Sequence, residues 1–183
     1  NSVHGIYISS STNHTIGGIT TGAGNLISGN GGQGIGADNV GLITVQGNII
    51  GLGSDTTTII TNNSNGVYLN NSTSAVVGGR VSGAANIISG NGQRGVNVLG
   101  ASSIGNTISA NRIYNNNGIG IDLGNNNVTL NDSLDSDTGA NSLLNFPVIE
   151  YLVTSATQTV IGGTLDVATT GTYTVELFHS TLA

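Results

Sequence analysis

Residues Gly22–Ile35 read GAGNLISGNGGQGI and residues Gly83–Val96 read GAANIISGNGQRGV, nearly the same sentence 61 residues apart. The duplication is longer than these blocks, since GIYISSSTNHTIGG from Gly5 matches GVYLNNSTSAVVGG from Gly66 at the same offset. Catalytic motifs are rarely written twice at a fixed interval, whereas a stacked structural unit is. A finer period lies inside. Gly followed by an aliphatic residue begins a unit at Gly5, Gly34, Gly66, Gly95 and Gly118, at intervals of 29, 32, 29 and 23. Removing insertions after Gly17–Gly18, after Gly78–Gly79 and in the loop beyond Gly51 reduces each interval to about 23 residues, a solenoid period with loops at fixed places.

Aligning the units produces columns. Ile6, Ile35, Val67, Val96 and Ile119 share one; Ile8, Ala37, Leu69, Val98 and Ile121 share a second, two residues on. Between them fall Tyr7, Gly36, Tyr68, Asn97 and Gly120. That alternation is a strand with one face inward. Ile16, Val45, Val77 and Ile108 form a third aliphatic column, Ile27, Ile50, Ile88 and Ile113 a fourth, and Asn25, Asn48, Asn86 and Asn111 a polar column beside it. Short strands, about 23 residues per turn and stacked aliphatics predict an all-β chain: a right-handed parallel β-helix, or β-solenoid, of about five coils. One coil cannot bury its own apolar face, so stability comes from its neighbours. Stacked Asn side chains can bond up and down the column. No helical period occurs, and almost no α-helix is expected.

Composition suits this. The chain has 183 residues with 30 Gly, one Pro and no Cys, Met or Trp, and only 7% charged residues. A hydrophobic fraction of 37% argues against disorder. The net charge is −6, with three basic residues, all of them Arg. Such a chain cannot neutralise phosphates, so nucleic acid is excluded as a partner. No apolar run approaches a membrane span. Absence of Cys excludes disulfides and thiolate metal sites.

The phrases NHTIGG, GAGNLISGN, GIGIDLG and NDSLDSDTGANSLLNFPVI resemble the right-handed parallel β-helix repeat regions of large bacterial secreted and cell-surface proteins. The resemblance covers the whole chain. It implies an extracellular or cell-surface location, and it implies that an immunoglobulin-like domain begins near the C-terminus.

Three regions are expected: β-helix repeats over 1–124, an Asp/Asn-rich capping or linker segment over 125–147, and a strand segment over 148–183. The middle segment holds the only acidic cluster. Asp132, Asp135 and Asp137, with Asn141, are candidate Ca²⁺ ligands, because closely spaced Asp near a Gly gathers oxygens for that ion. The alternative is an Asx-rich turn that ends the solenoid. In the last segment TQTVIGGTLDV and GTYTVELFHS read as strands joined by a turn near Ala168, too few for a complete sandwich.

Chemistry is sparse. Glycoside hydrolysis normally needs two facing carboxylates, yet Asp38 and Asp122 are expected in equivalent columns three coils apart, with Asp55 in a loop. Arg80, Arg94 and Arg112 have no Asp column beside them and read as solvated corner residues. His4, His14 and His179 are scattered. The reading is therefore not an enzyme, but an extracellular structural solenoid: a surface stalk, an adhesin or a self-assembling matrix fibre. Self-association is expected head to tail or by strand addition at exposed edges. The alternative is a carbohydrate-binding or carbohydrate-active β-helix, since outward Tyr7 and Tyr68, two coils apart, could stack on a surface glycan.

Overall fold

The computed structural model describes residues 1–167 and 171–178. Eleven strands build the solenoid: β1 (Ile6–Gly17), β2 (Leu26–Ile27), β3 (Ile35–Gln46), β4 (Ile49–Ile50), β5 (Val67–Asn70), β6 (Val76–Gly78), β7 (Ile87–Ser89), β8 (Val96–Leu99), β9 (Thr107–Ser109), β10 (Arg112–Tyr114) and β11 (Ile121–Leu123). All their pairings are parallel, rung to rung. The long strands β1 and β3 each bend through a corner and serve two walls, so β3 pairs with β5 near its start and with β6 near its end. Positive φ at Ser10, Asn13, Asn39 and Leu42 makes those bends. One wall contains β11, β8, β5, the first half of β3 and the first half of β1. The second contains the second halves of β1 and β3 with β6 and β9, and the third contains β2, β4, β7 and β10.

The inward columns form a continuous core. Ile35, Ala37, Val67, Leu69, Val96 and Val98 are fully buried behind the first wall, Val45 and Val77 behind the second, and Ile50 and Ile88 behind the third. The pairings Ile16–Val45–Val77–Ile108 and Ile27–Ile50–Ile88–Ile113 are the expected columns. Five unit starts enclose about four turns, not five coils.

The last rung is shifted from expectation. Ile121, not Ile119, stands opposite Val96, and Leu123 opposite Val98. Period-2 alternation leaves both registers with aliphatics inward, but only the observed one brings Leu123 against the core. The outward column is therefore Tyr7, Gly36, Tyr68, Asn97 and Asp122. Asp122 is two positions out of line with Asp38, which sits opposite Ser9 and Asn70.

Beyond Gly124 the chain folds back over the end of the stack. Two short 3-10 turns, Ser133–Asp135 and Ala140–Leu143, carry Ala140 and Leu143 onto the core. Then β12 (Val148–Thr154) and β13 (Thr159–Thr164) form a two-stranded antiparallel hairpin with a bulge between Ile149 and Tyr151. Val148, Ile149, Leu152 and Val153 are all exposed on it. Residues 171–178 are not a strand, contrary to expectation. Glu176 anchors them on the solenoid, accepting from the Ser109 hydroxyl at 2.6 Å and the Ala110 N–H at 2.8 Å. The turn expected near Ala168 and the end of that segment, including His179, lie outside the described residues. Among the described residues no helix is long and apolar enough to cross a membrane.

Candidate functional site

Two Asn ladders run through the corners. In the first, each Nδ2 donates to the Oδ1 one rung on: Asn25 to Asn48 at 3.0 Å, Asn48 to Asn86 at 3.0 Å, and Asn86 to Asn111 at 2.9 Å. A second ladder, absent from the sequence reading, links Asn30, Asn62, Asn91 and Asn116 in the same direction. Backbone N–H groups of Asn25, Asn48 and Asn86 join the first. Asn30, Asn48, Asn62, Asn86, Asn91 and Asn111 are buried, while Asn25 at one end is exposed and Asn116 at the other half-buried; a buried amide without a partner would cost roughly 1–3 kcal/mol. Both ladders point one way. The Oδ1 atoms of Asn25 and Asn30 receive no donor among the described residues, and at the other end the backbone N–H groups of Asn111 and Asn116 reach no acceptor there, while their Nδ2 groups donate to the Val77, Ser109 and Ile88 carbonyls.

A third corner ends differently. Ala75 donates to Asn106 Oδ1 at 2.9 Å and Asn106 donates to Asn141 Oδ1 at 2.8 Å, while Asn141 Nδ2 returns a bond to the Asn106 carbonyl at 2.9 Å. Asn141 thus continues a corner stack, with its amide occupied by Asn106. Asp132, Asp135 and Asp137 bring carboxylate oxygens together, within 4.8 Å of one another. Within this trio Asp132 accepts from Ser136, and Asp135 accepts from the Asn145 N–H at 2.7 Å. Asp137 Oδ1 is buried with no partner among the described residues. Partial desolvation, then the neighbouring Asp132 and Asp135 charges, hold the Asp137 carboxyl above its ordinary value.

Arg94 corrects another expectation. It is no solvated corner residue: its Nε donates to Asp122 Oδ2 at 2.9 Å, and the Asp122 side chain is fully buried. Asn126 and Asn127 donate their backbone N–H groups to the same carboxylate. Asp122 is therefore fixed and covered, and Asp38 stands three rungs away in another column. Asp55 is held below the usual carboxylate range by the Thr58 hydroxyl, then the Thr58 and Thr57 N–H groups, as the capping residue of its own loop. Arg112 lies over the Tyr114 ring at 5.9 Å. His14 bonds Ser11, and His4 stacks on Tyr7 with ring centres 5.0 Å apart.

Outward residues of the first wall form a groove of about 330 Å³. Its floor includes Tyr7, Tyr68, Asp38, Asn70 and Asn97. Asn70 Nδ2 donates to Asp38 Oδ1 at 2.8 Å, and the Tyr7 hydroxyl donates to Asp38 Oδ2 at 3.3 Å. Desolvation and then the Asp38 charge raise the hydroxyl pKa of both tyrosines. Asn125 closes one end by accepting from Asn97 Nδ2 at 3.0 Å. A second hollow, about 430 Å³ and apolar, lies at the C-terminal end of the stack between Ile121, Leu123, Leu143 and Phe146.

No family model matches the chain, and no curated protein or solved structure matches it.

Proposed function

We propose that this chain is a non-enzymatic structural solenoid of the bacterial cell surface or extracellular matrix, built to stack head to tail. One observation carries the reading. Among the described residues the two Asn ladders leave acceptors, Asn25 and Asn30 Oδ1, at one end and backbone N–H donors, those of Asn111 and Asn116, at the other. A rung of the same repeat would satisfy the Asn25 and Asn30 end, and at the other end it would meet the corners of the third wall at Asn111 and Asn116, beside the segment that folds over the core; the arrangement is heterologous, so it extends instead of closing. The extracellular setting is supported by the resemblance of the repeat phrases and by a chain with no Cys. A Ca²⁺ ion held by Asp132, Asp135 and Asp137 belongs to the same proposal, as a clamp on the segment that folds over the stack.

Sedimentation and negative-stain microscopy of the purified chain test it. Concentration-dependent rods of increasing length are expected, and Asn25→Leu with Asn30→Leu should shorten them. Monodisperse monomers at high concentration would overturn the reading. The groove over Tyr7 and Tyr68 favours a second role, carbohydrate binding, which does not compete with the first.

A further inference from the structure

The outward face of the first wall is not uniform. At its C-terminal end, Asn97 and Asp122 point outward yet are 1% and 0% exposed, because Asn125–Asn127 fold over them. Nearer the N-terminal end the same column is open. Tyr7 is half exposed, Tyr68 is partly exposed, and Gly36 between them has no side chain. A Cβ at Gly36 would come within 2.8 Å of the Tyr7 ring, so the ring overhangs the gap that glycine leaves. His4 stacks on Tyr7 and fixes it before any ligand arrives. The result is a groove with two aromatic rings on its floor, a carboxylate beside both, and amides from Gln33, Asn65 and Asn70 around it.

A further observation points to an occupant. Asn97 lines this groove at its covered end, and its Oδ1 has no donor among the described residues. A buried acceptor without a donor is uncommon and costly. Here it lies under Asn125 at the covered end of the groove, so a ligand hydroxyl would supply the missing bond by displacing that cover.

We propose that this groove binds a neutral oligosaccharide, with Tyr7 and Tyr68 as stacking platforms and Asp38, Asn70 and Asn97 as partners for its hydroxyls. The ring faces suit the apolar face of a pyranose. Two rungs separate the tyrosines by roughly 10 Å at the spacing of paired strands, the span of a disaccharide. At about 330 Å³ the groove is at the lower end of the range for small-ligand sites, roughly 300–1,000 Å³. Charge selects against acidic sugars. Asp38 is the carboxylate beside both rings, no Arg lines the groove, and Arg94 is bound to Asp122. A uronate would meet that carboxylate with no guanidinium in the lining to offset it, and His4 is already stacked on Tyr7. An apolar ligand would leave the amides unpaired.

The site does not depend on end-to-end stacking, so each proposal can fail alone. The experiment titrates the ¹⁵N-labelled chain with cellohexaose, maltohexaose, mannohexaose and, as the acidic probe, polygalacturonate. At least one neutral hexasaccharide should shift the amide signals of Gly36, Asn70 and Asn97 together. Tyr68→Ala should weaken that binding about tenfold, and Tyr7→Ala similarly, with melting temperatures close to the parent because both side chains face outward. Asp38→Asn should weaken neutral binding while raising the relative binding of polygalacturonate, since the same carboxylate accepts from hydroxyls and repels a uronate. Failure of every neutral probe overturns the proposal, as does binding indifferent to both tyrosines or equal binding of polygalacturonate.

Discussion

Arg94 and Asp122 belong to successive rungs of the first wall, and the Nε–Oδ2 bond of 2.9 Å between them closes over a carboxylate with no exposed side-chain surface. A buried charge loses its hydration and depends on what replaces it. Arg94→Met removes the countercharge and leaves Asp122 with two backbone N–H donors. A loss of about 3 kcal/mol is expected, at the low end for breaking such a pair, read as a lowered urea midpoint. Asp122→Asn in the Arg94→Met background should recover part of it. Equal stability of parent and Arg94→Met would mean that water reaches Asp122.

The Asn ladders make a different prediction. Asn86 takes the N–H and Nδ2 donors of Asn48 and passes its own to Asn111, at zero exposure. Asn86→Leu deprives both neighbours at once. Each orphaned buried group costs roughly 1–3 kcal/mol, so this variant should unfold at ambient temperature or melt far below the parent. Asn117→Leu is the control, because Asn117 is exposed and donates only one long side-chain bond, 3.3 Å, to Gly92; its melting temperature should hardly move.

The inward columns were legible because Val67–Leu69 or Val96–Val98 can alternate apolar and polar in only one secondary structure. The last rung was not. GIGIDLG offers two Gly–Ile pairs two residues apart, and a period of two cannot choose between them. Only the packing of Leu123 and the meeting of Asp122 with Arg94 do. Asn30, Asn62, Asn91 and Asn116 escaped notice for another reason: in so Asn-rich a chain a recurring Asn has little contrast, although SGN at Asn30 and Asn91 was in plain sight. Groove residues such as Gln33, Asn65 and Asn125 lie outside the strands, and no periodicity marks them. Likewise Asn141, close to the Asp cluster in sequence, is claimed by Asn106 from a distant rung.

Asp137 should make stability fall as pH rises. Its folded pKa lies above its ordinary value of 3.8, so the folded chain binds that proton more tightly than the unfolded one. The favourable contribution is complete below 3.8 and disappears as pH climbs through the folded pKa. Asp137→Asn should flatten this acid-range slope in melting temperature. Millimolar Ca²⁺ at pH 7 should raise the melting temperature of the parent and leave Asp135→Ala/Asp137→Ala unchanged. A parent indifferent to Ca²⁺ would remove the ion from the proposal.

Glu176 has the opposite sign. The Ser109 hydroxyl, then the Ala110 N–H, stabilise its carboxylate and hold its pKa below the ordinary 4.5. Its contribution is therefore present above 4.5 and lost as pH falls through the lower folded value. That contact joins residues 171–178 to the β9–β10 corner, beside the ladder end at Asn111. Acid should release the segment while the solenoid core persists. The Ala110 amide proton should titrate with a midpoint below 4.5 in the parent and show no such step in Glu176→Gln. A midpoint at or above 4.5 would mean that Glu176 gains nothing from the corner, and that the segment is held there by something else.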